Sequence, residues 1–317
     1  MKALIIDRVS PLVESGLKEY GVEVDVKILP SREELKALVP NYDVLVMRVD
    51  PKMDKEMLDA VAIHTKMICV CSAGTNHIDM EYAKKLGIRV QNAPGLNSNA
   101  VAELTISKML DLSRMTVEAN EEVQKEGIWN KYKYTGHELK GHTLGIIGYG
   151  KIGKRVGHLA QAFGMTTIAY DPYITKESCT ELGTEQVADL DELIRRSDYI
   201  TVHTPITPET RGMISTKQFQ EMKDGAIVIN CARGGIIDEA AGLEALKSGK
   251  IAGFGLDVLS GELAGGGLGD DARLSSPLFG QRGFLVSPHL GGSAHEAYDA
   301  IGAFIVGKIA EAYGLKK

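Results

Sequence analysis

Short runs rich in β-branched residues alternate along this chain with longer stretches of helical period, the pattern of a parallel sheet flanked by helices. A first set of strands is expected at residues 3–6, 22–28, 44–48, 67–71 and 88–91. A second set opens at Thr143 and covers residues 143–147, 167–170, 199–203, 226–230, 251–257 and 284–287. Single cores stop growing at roughly 250 to 300 residues. At 317 residues, two strand sets therefore predict two doubly wound α/β domains around a cleft. Between the sets, residues 99–120 carry Val101, Leu104, Ile106, Met109, Leu110, Leu112 and Met115 on more than one face. A helix apolar on several sides is buried on several sides, so this one is expected at the domain junction and against a second subunit. A last helix, residues 293–313, has no sheet of its own to complete and is expected to return to the first domain. The expected boundaries are thus residues 1–98 with 291–317 for one domain and 99–290 for the other.

Composition narrows the class. Hydrophobic residues make up 44% and charged residues 25%, an ordinary globular balance. A net charge of −6 without any lysine or arginine block disfavours a nucleic-acid partner, which needs clustered basic residues. No apolar stretch reaches the roughly 20 residues of a bilayer span, so no membrane partner and a cytoplasmic location are expected. Cys69, Cys71, Cys179 and Cys231 lie in or near apolar strand segments. The Cys69-Val70-Cys71 spacing suits neither a redox pair nor a zinc knuckle, so buried reduced thiols and no metal are expected.

The segment from Thr143 to Gly153 is an apolar strand running into Gly148-x-Gly150-x-x-Gly153, with a helical pattern after it and a second strand ending at Asp171. A bare glycine pattern is weak, but strand, turn, helix and acidic residue in this order give each part a task. Gly148 makes the tight turn, Gly150 lets backbone approach a pyrophosphate, and Gly153 lets the helix pack on the strand. The helix N-terminus then offers free N–H groups to the phosphates. Asp171 can accept from ribose hydroxyls and would repel a 2′-phosphate, which makes NAD the expected cofactor.

Doubly wound sheets bind ligands beyond the carboxyl ends of their strands. Four ends in the second set carry candidate chemistry: His203-Thr204, Cys231-Ala232-Arg233, Asp257 with Glu262 five residues on, and Pro288-His289. Each has an ordinary alternative. A loop arginine commonly caps a helix, a histidine after proline commonly satisfies a turn, and loop carboxylates are commonly solvated. Their position at corresponding ends of one sheet favours convergence on a site. His203 is expected to be a cofactor-side or structural residue.

At this point the chain resembles the D-isomer-specific 2-hydroxyacid dehydrogenase family, most closely its phosphoglycerate dehydrogenase branch. The matching motifs include Asn92-Ala-Pro-Gly-Leu-Asn97-Ser98, Glu138 to Gly148, His203-Thr-Pro-Ile-Thr-Pro, Ile229-Asn-Cys-Ala-Arg233-Gly-Gly and Ser287-Pro-His289-Leu-Gly-Gly. The resemblance implies a flavodoxin-like substrate domain, a Rossmann NAD domain and dimerisation through the helix at 99–120. It implies hydride transfer between nicotinamide and C2 of a small D-2-hydroxy acid, 3-phosphoglycerate among the candidates. Arg233 then resembles the arginine that binds the substrate carboxylate and carbonyl, His289 the acid/base, and Glu262 its carboxylate partner. Asp257 and the Cys231 carbonyl resemble the groups that hold the nicotinamide amide. Lys151, Ile152 and Thr204 match cofactor contacts, with Ala73, Ala232 and Gly291 in the same set. Ser72, Ala73 and Gly74 resemble a loop whose N–H groups hold the substrate carboxylate, and Arg48 an arginine that reaches the substrate.

The chain departs from the family after Glu262, where Leu263 opens a glycine-rich run in place of the usual proline. Two other readings remain at this stage. Hydroxypyruvate or glyoxylate reductases share the same motifs, and corepressors of this fold use the dinucleotide as a sensor. Formate dehydrogenases use the scaffold with a glutamine beside the histidine, and Glu262 argues against them.

Overall fold

The computed structural model describes residues 1–262 and 273–316. The chain divides into two compact units, one made of Met1–Asn97 and the closing segment from Gly292, the other of Ser98–Glu262 and Arg273–Gly291. The glycine-rich run after Glu262 lies outside the described residues.

The first unit runs β1 (Lys2–Ile5), α1 (Pro11–Glu19), β2 (Glu23–Val26), α2 (Arg32–Leu38), β3 (Val44–Met47), α3 (Lys55–Ala62), β4 (Met67–Val70), α4 (Met80–Lys85) and β5 (Arg89–Asn92). Its strands pair in parallel in the order β2-β1-β3-β4-β5, the flavodoxin-like order. β3 and β4 are buried at every position, as strands covered by helices on both faces must be. Helix starts follow from capping chemistry: Ser10, Ser31, Asp54 and Asp79 each accept from an early N–H of the helix that follows.

The second unit runs α5 (Ser98–Arg114), α6 (Thr116–Glu126), β6 (Thr143–Ile147), α7 (Lys151–Ala162), β7 (Thr166–Tyr170), α8 (Lys176–Thr180), β8 (Glu185–Gln186), α9 (Leu190–Arg196), β9 (Tyr199–Val202), α10 (Thr216–Glu221), β10 (Ala226–Asn230), α11 (Glu239–Lys247), β11 (Ile251–Leu256) and β12 (Phe284–Val286). Its seven parallel strands lie in the order β12-β11-β10-β9-β6-β7-β8. Counted from β6, this is the Rossmann order 3-2-1-4-5-6 with one strand added at the edge. Apolar clusters cover both faces, one around Val228, Phe254 and Leu256, the other around Ile146, Tyr149 and Ile229.

The closing helix α12 (His295–Tyr313) belongs to the first unit, where Ile301, Ile305, Val306 and Ile309 join the core of β1, β3 and β4. α12 crosses α1 closely. A Cβ on Gly16 would meet Val306 at 3.1 Å, and one on Gly302 would meet Ser10 at 3.0 Å.

The expected helix over residues 99–120 is two helices. Met115 adopts a left-handed backbone, φ 51°, between α5 and α6, and a right-handed helix cannot pass through that conformation. α5 buries Val101, Ala102, Ile106 and Met109, whereas α6 buries no residue. Most strands begin or end within a residue of expectation. The two-residue β8, paired with Ile168 and Ala169 of β7, is too short to leave a periodic signal.

Candidate active site

β6 and β9 are neighbours, although two strands lie between them in sequence, so their carboxyl ends form the point where strand order reverses. Gly148 follows β6 with φ 88°, and its N–H donates to the Tyr170 carbonyl at 2.9 Å. A side chain here would collide with the end of β9, since a Cβ would stand 2.8 Å from the His203 carbonyl carbon and oxygen. Gly153 backs onto the Gly148 carbonyl so closely that a Cβ cannot be fitted. Gly150, by contrast, faces open space and stands at the N-cap of the twelve-residue α7 with no side-chain cap. Room and the opening turn of α7 thus coincide at Gly150, Lys151 and Ile152.

Asp171 follows β7 and accepts from the Tyr149 N–H at 2.8 Å and the Tyr173 N–H at 2.9 Å, one per oxygen. Each oxygen keeps a lone pair for a ribose hydroxyl. Across the turn, the Thr204 hydroxyl is buried without a partner, as is Nδ1 of His203. The His203 Nε2 meets the Thr201 hydroxyl at 2.9 Å, and burial pushes the imidazole down to about 3. His203 is therefore neutral and fixed beside the turn rather than a proton carrier. An unpaired buried hydroxyl is costly unless a ligand satisfies it, and the cradle of glycines, N–H groups and Asp171 fits a dinucleotide.

Farther along the sheet, the loops after β10, β11 and β12 meet. The Asn230 side chain accepts from the Ala232 N–H at 2.9 Å and donates to the Arg233 carbonyl at 2.8 Å, which curls the backbone of Cys231, Ala232 and Arg233. Gly234 then lies against the Leu259 carbonyl and the Ser260 N–H with no space for a side chain. Arg233 is half-buried; burial lowers its guanidinium from the usual range, and the Glu262 carboxylate acts in the opposite direction.

Asp257, 1% exposed, accepts from the Ser287 hydroxyl at 2.5 Å, the Leu290 N–H at 2.8 Å and the Gly291 N–H at 2.7 Å. Its backbone carbonyl accepts from the His289 N–H at 2.9 Å. A carboxylate offers about four acceptor sites, so one stays open for a further donor such as an amide. This clamp holds His289 at φ 54°, an uncommon conformation for a residue with a side chain and one that recurs at functional sites. The His289 Nδ1 stands 3.3 Å from the Glu262 Oε1, and Glu262 is only 8% exposed. Arg233, Glu262 and His289 come together within the second unit, and the buried Cys231 thiol is pushed up to about 12 by desolvation.

Arg48 and the loop Ser72–Gly74 belong to the first unit and are tied together there. The Ser72 hydroxyl donates to the Arg48 carbonyl at 3.4 Å and to the Gly74 carbonyl at 3.1 Å. Asn92 donates to the Ala73 carbonyl at 2.7 Å. The sequence reading missed the bracing roles of Asn230 and Asn92. The available signal was a polar residue ending a strand, Asn92 at the end of β5 and Asn230 at the end of β10. All four cysteines are buried and unbridged. Among the described residues no helix is long and apolar enough to cross a membrane.

A glycine turn at the switch point, an acid closing the second strand and a cluster of Arg, Glu and His beyond the sheet define a dinucleotide-dependent oxidoreductase class. Residues 106–291 match the family described as D-isomer specific 2-hydroxyacid dehydrogenase, NAD binding domain. The chain is 41% identical over 305 residues to the D-3-phosphoglycerate dehydrogenase of Archaeoglobus fulgidus, covering 96% of this chain and 56% of that protein. It is 37% identical to the human D-3-phosphoglycerate dehydrogenase, covering 95% and 54%. The chain thus spans about half the length of the curated relatives it matches. The crystal structure of the TT0316 protein from Thermus thermophilus superposes with a TM-score of 0.88 at 30% identity, covering 100% of this chain and 98% of that one. The Aquifex aeolicus D-lactate dehydrogenase, complexed with NAD and lactic acid, gives 0.82 at 29% identity, covering 98% and 96%. This chain belongs to the D-isomer-specific 2-hydroxyacid dehydrogenase family, and residues 106–291 are its NAD-binding domain.

Proposed function

We propose that the protein interconverts a small 2-keto acid and its D-2-hydroxy acid, with 3-phosphoglycerate as the foremost substrate. The observation that carries this reading is the meeting of Arg233, Glu262 and His289 beside the clamp of Asp257 in the NAD-binding unit. When bound, NAD would supply the hydride acceptor or donor for C2 of the substrate. Gly150, Lys151 and Ile152 would hold its pyrophosphate, Asp171 its ribose, and Asp257 with the Cys231 carbonyl its amide; Ala73, Thr204, Ala232 and Gly291 complete the set.

Reduction places negative charge on the C2 oxygen and calls for a proton there. Arg233 supplies fixed positive charge and N–H donors to the carbonyl oxygen and carboxylate. Glu262 occupies the Nδ1 side of His289, which leaves Nε2 to deliver the proton. Positioned acid–base help is typically worth roughly 10²- to 10⁴-fold. From the first unit we assign Arg48 and the N–H groups of Ser72, Ala73 and Gly74 to the substrate's anionic groups. NADH oxidation with phosphohydroxypyruvate, hydroxypyruvate, glyoxylate and pyruvate tests the reading. The first is expected to give the highest kcat/KM, and no turnover of any 2-keto acid would reject it.

We further propose a homodimer in the cytoplasm. Exposed aromatic groups follow α6, with Trp129 86% and Tyr132 80% exposed, and such a group favours a protein contact. The four unbridged cysteines suit a reducing compartment. Light scattering at micromolar concentration checks the dimer; a monomer would remove it.

A further inference from the structure

We infer that Tyr298 and Ser293 are positioning residues for Arg48, holding its guanidinium for an anionic group of the substrate. The inference rests on the reading of Arg48 as a substrate contact. Arg48 leaves the end of β3 with its backbone fixed, since its N–H and that of Val49 both donate to Asp7 Oδ2, at 3.1 and 3.0 Å. Its guanidinium carbon stands 4.6 Å from the centre of the Tyr298 ring. Nη2 donates to the Ser293 hydroxyl at 3.4 Å, and the Tyr298 hydroxyl donates to the same oxygen at 3.1 Å. Tyr298 sits in the first turn of α12, which Ile301, Ile305 and Ile309 seat in the core.

The chemistry of these anchors gives the arrangement its meaning. Among the described residues Arg48 forms no ion pair. A carboxylate anchor would consume N–H donors and neutralise the charge that an incoming anion needs. An aromatic face restrains the guanidinium by its quadrupole and uses no N–H at all. Of five N–H donors one is spent on Ser293, and the others stay available for carboxylate or phosphate oxygens. The ring thus removes rotamer freedom from a long side chain before substrate arrives, which strengthens binding without touching the reacting atoms.

The test is steady-state kinetics with NADH and phosphohydroxypyruvate or hydroxypyruvate on Tyr298→Leu, Tyr298→Phe, Ser293→Ala, Arg48→Ala and the Arg48→Ala/Tyr298→Leu pair, with thermal melts of each. Tyr298→Leu should raise KM about five- to tenfold with kcat within about twofold, the scale of one cation–π contact. Tyr298→Phe, which keeps the ring, should restore KM to within about twofold of wild type. Arg48→Ala should raise KM at least as far, and the pair should rise no further than Arg48→Ala alone. The Arg48 Nε–H resonance should sit upfield in wild type and Tyr298→Phe and move downfield in Tyr298→Leu, a readout independent of turnover. An unmoved resonance, a Phe variant as impaired as Leu, or additive effects in the pair would overturn the inference while leaving Arg48 as a contact. Arg48→Ala with an unchanged KM would overturn the contact itself. If Tyr298→Leu does not fold, Ser293→Ala decides, with a two- to threefold rise in KM expected and none overturning the proposal.

Discussion

Glu262 Oε1 stands 3.3 Å from Nδ1 of His289, and the backbone of His289 is bent into the left-handed region to meet it. Glu262→Gln keeps the size and removes the charge opposite the imidazole. We expect kcat for keto-acid reduction to fall by about tenfold or more, within the range that acid–base catalysis contributes, while the NADH dissociation constant stays unchanged. His289→Ala should abolish most turnover at comparable fold stability. A Glu262→Gln enzyme with wild-type kcat would show that the carboxylate merely fills the loop.

Arg233→Ala removes a half-buried guanidinium that the Asn230 bracket and the tight packing of Gly234 hold in place. Charge-assisted hydrogen bonds contribute roughly 1.5 to 3 kcal/mol each, so a bidentate loss predicts at least a hundredfold lower kcat/KM. Arg233→Lys should recover little, because an ammonium cannot reproduce the planar fork. Near wild-type turnover in the alanine variant would place the carboxylate elsewhere.

The Tyr149 and Tyr173 N–H groups converge on Asp171 and fix the orientation of its side chain at the end of β7. A 2′-phosphate brought there meets like charge. We expect kcat/KM for NADH to exceed that for NADPH by at least tenfold, and Asp171→Ser to narrow the gap. Equal use of both cofactors by the wild type would contradict this account.

Stability should depend on pH through two half-buried, desolvated imidazoles. Burial lowers His77 to about 4 and His203 to about 3, so the folded protein keeps both neutral. An unfolded histidine takes up its proton near pH ~6.5. Above that pH neither state binds the proton and the pair contributes no slope. Below it the unfolded chain binds protons that the folded chain refuses, so stability falls as pH falls from ~6.5 toward ~4, by up to about 1.4 kcal/mol per pH unit for each histidine. Between pH 6 and pH 5 the two together should cost about 2 kcal/mol in denaturant melts, and His77→Asn should remove about half of that slope. A denaturation midpoint that holds constant between these pH values would reject the desolvated-imidazole account.

Much of this protein was legible in its residues. Strand and helix alternation fixes a parallel sheet because only helices can cover both faces of strands such as Val44–Met47 and Met67–Val70. The glycine spacing at Gly148, Gly150 and Gly153 specifies the turn because each missing side chain answers a local demand: Gly148 faces the His203 backbone just after β9, Gly153 faces the Gly148 carbonyl, and Gly150 opens onto unfilled space. What pattern could not reach depends on groups distant in sequence. The break at Met115 is a single backbone dihedral inside a run that reads as continuous helix. Lys108, 3% exposed on α5, is a charge on a face whose neighbours are apolar, and periodicity assigns such a residue to solvent. The clamp of Asp257 on Ser287, Leu290 and Gly291, and the seating of Arg48 against Tyr298, join residues 30 to 250 positions apart. Side-chain identity determined which hydrogen bonds and ring contacts these residues can make; chain crossing and packing decided which partners came within reach.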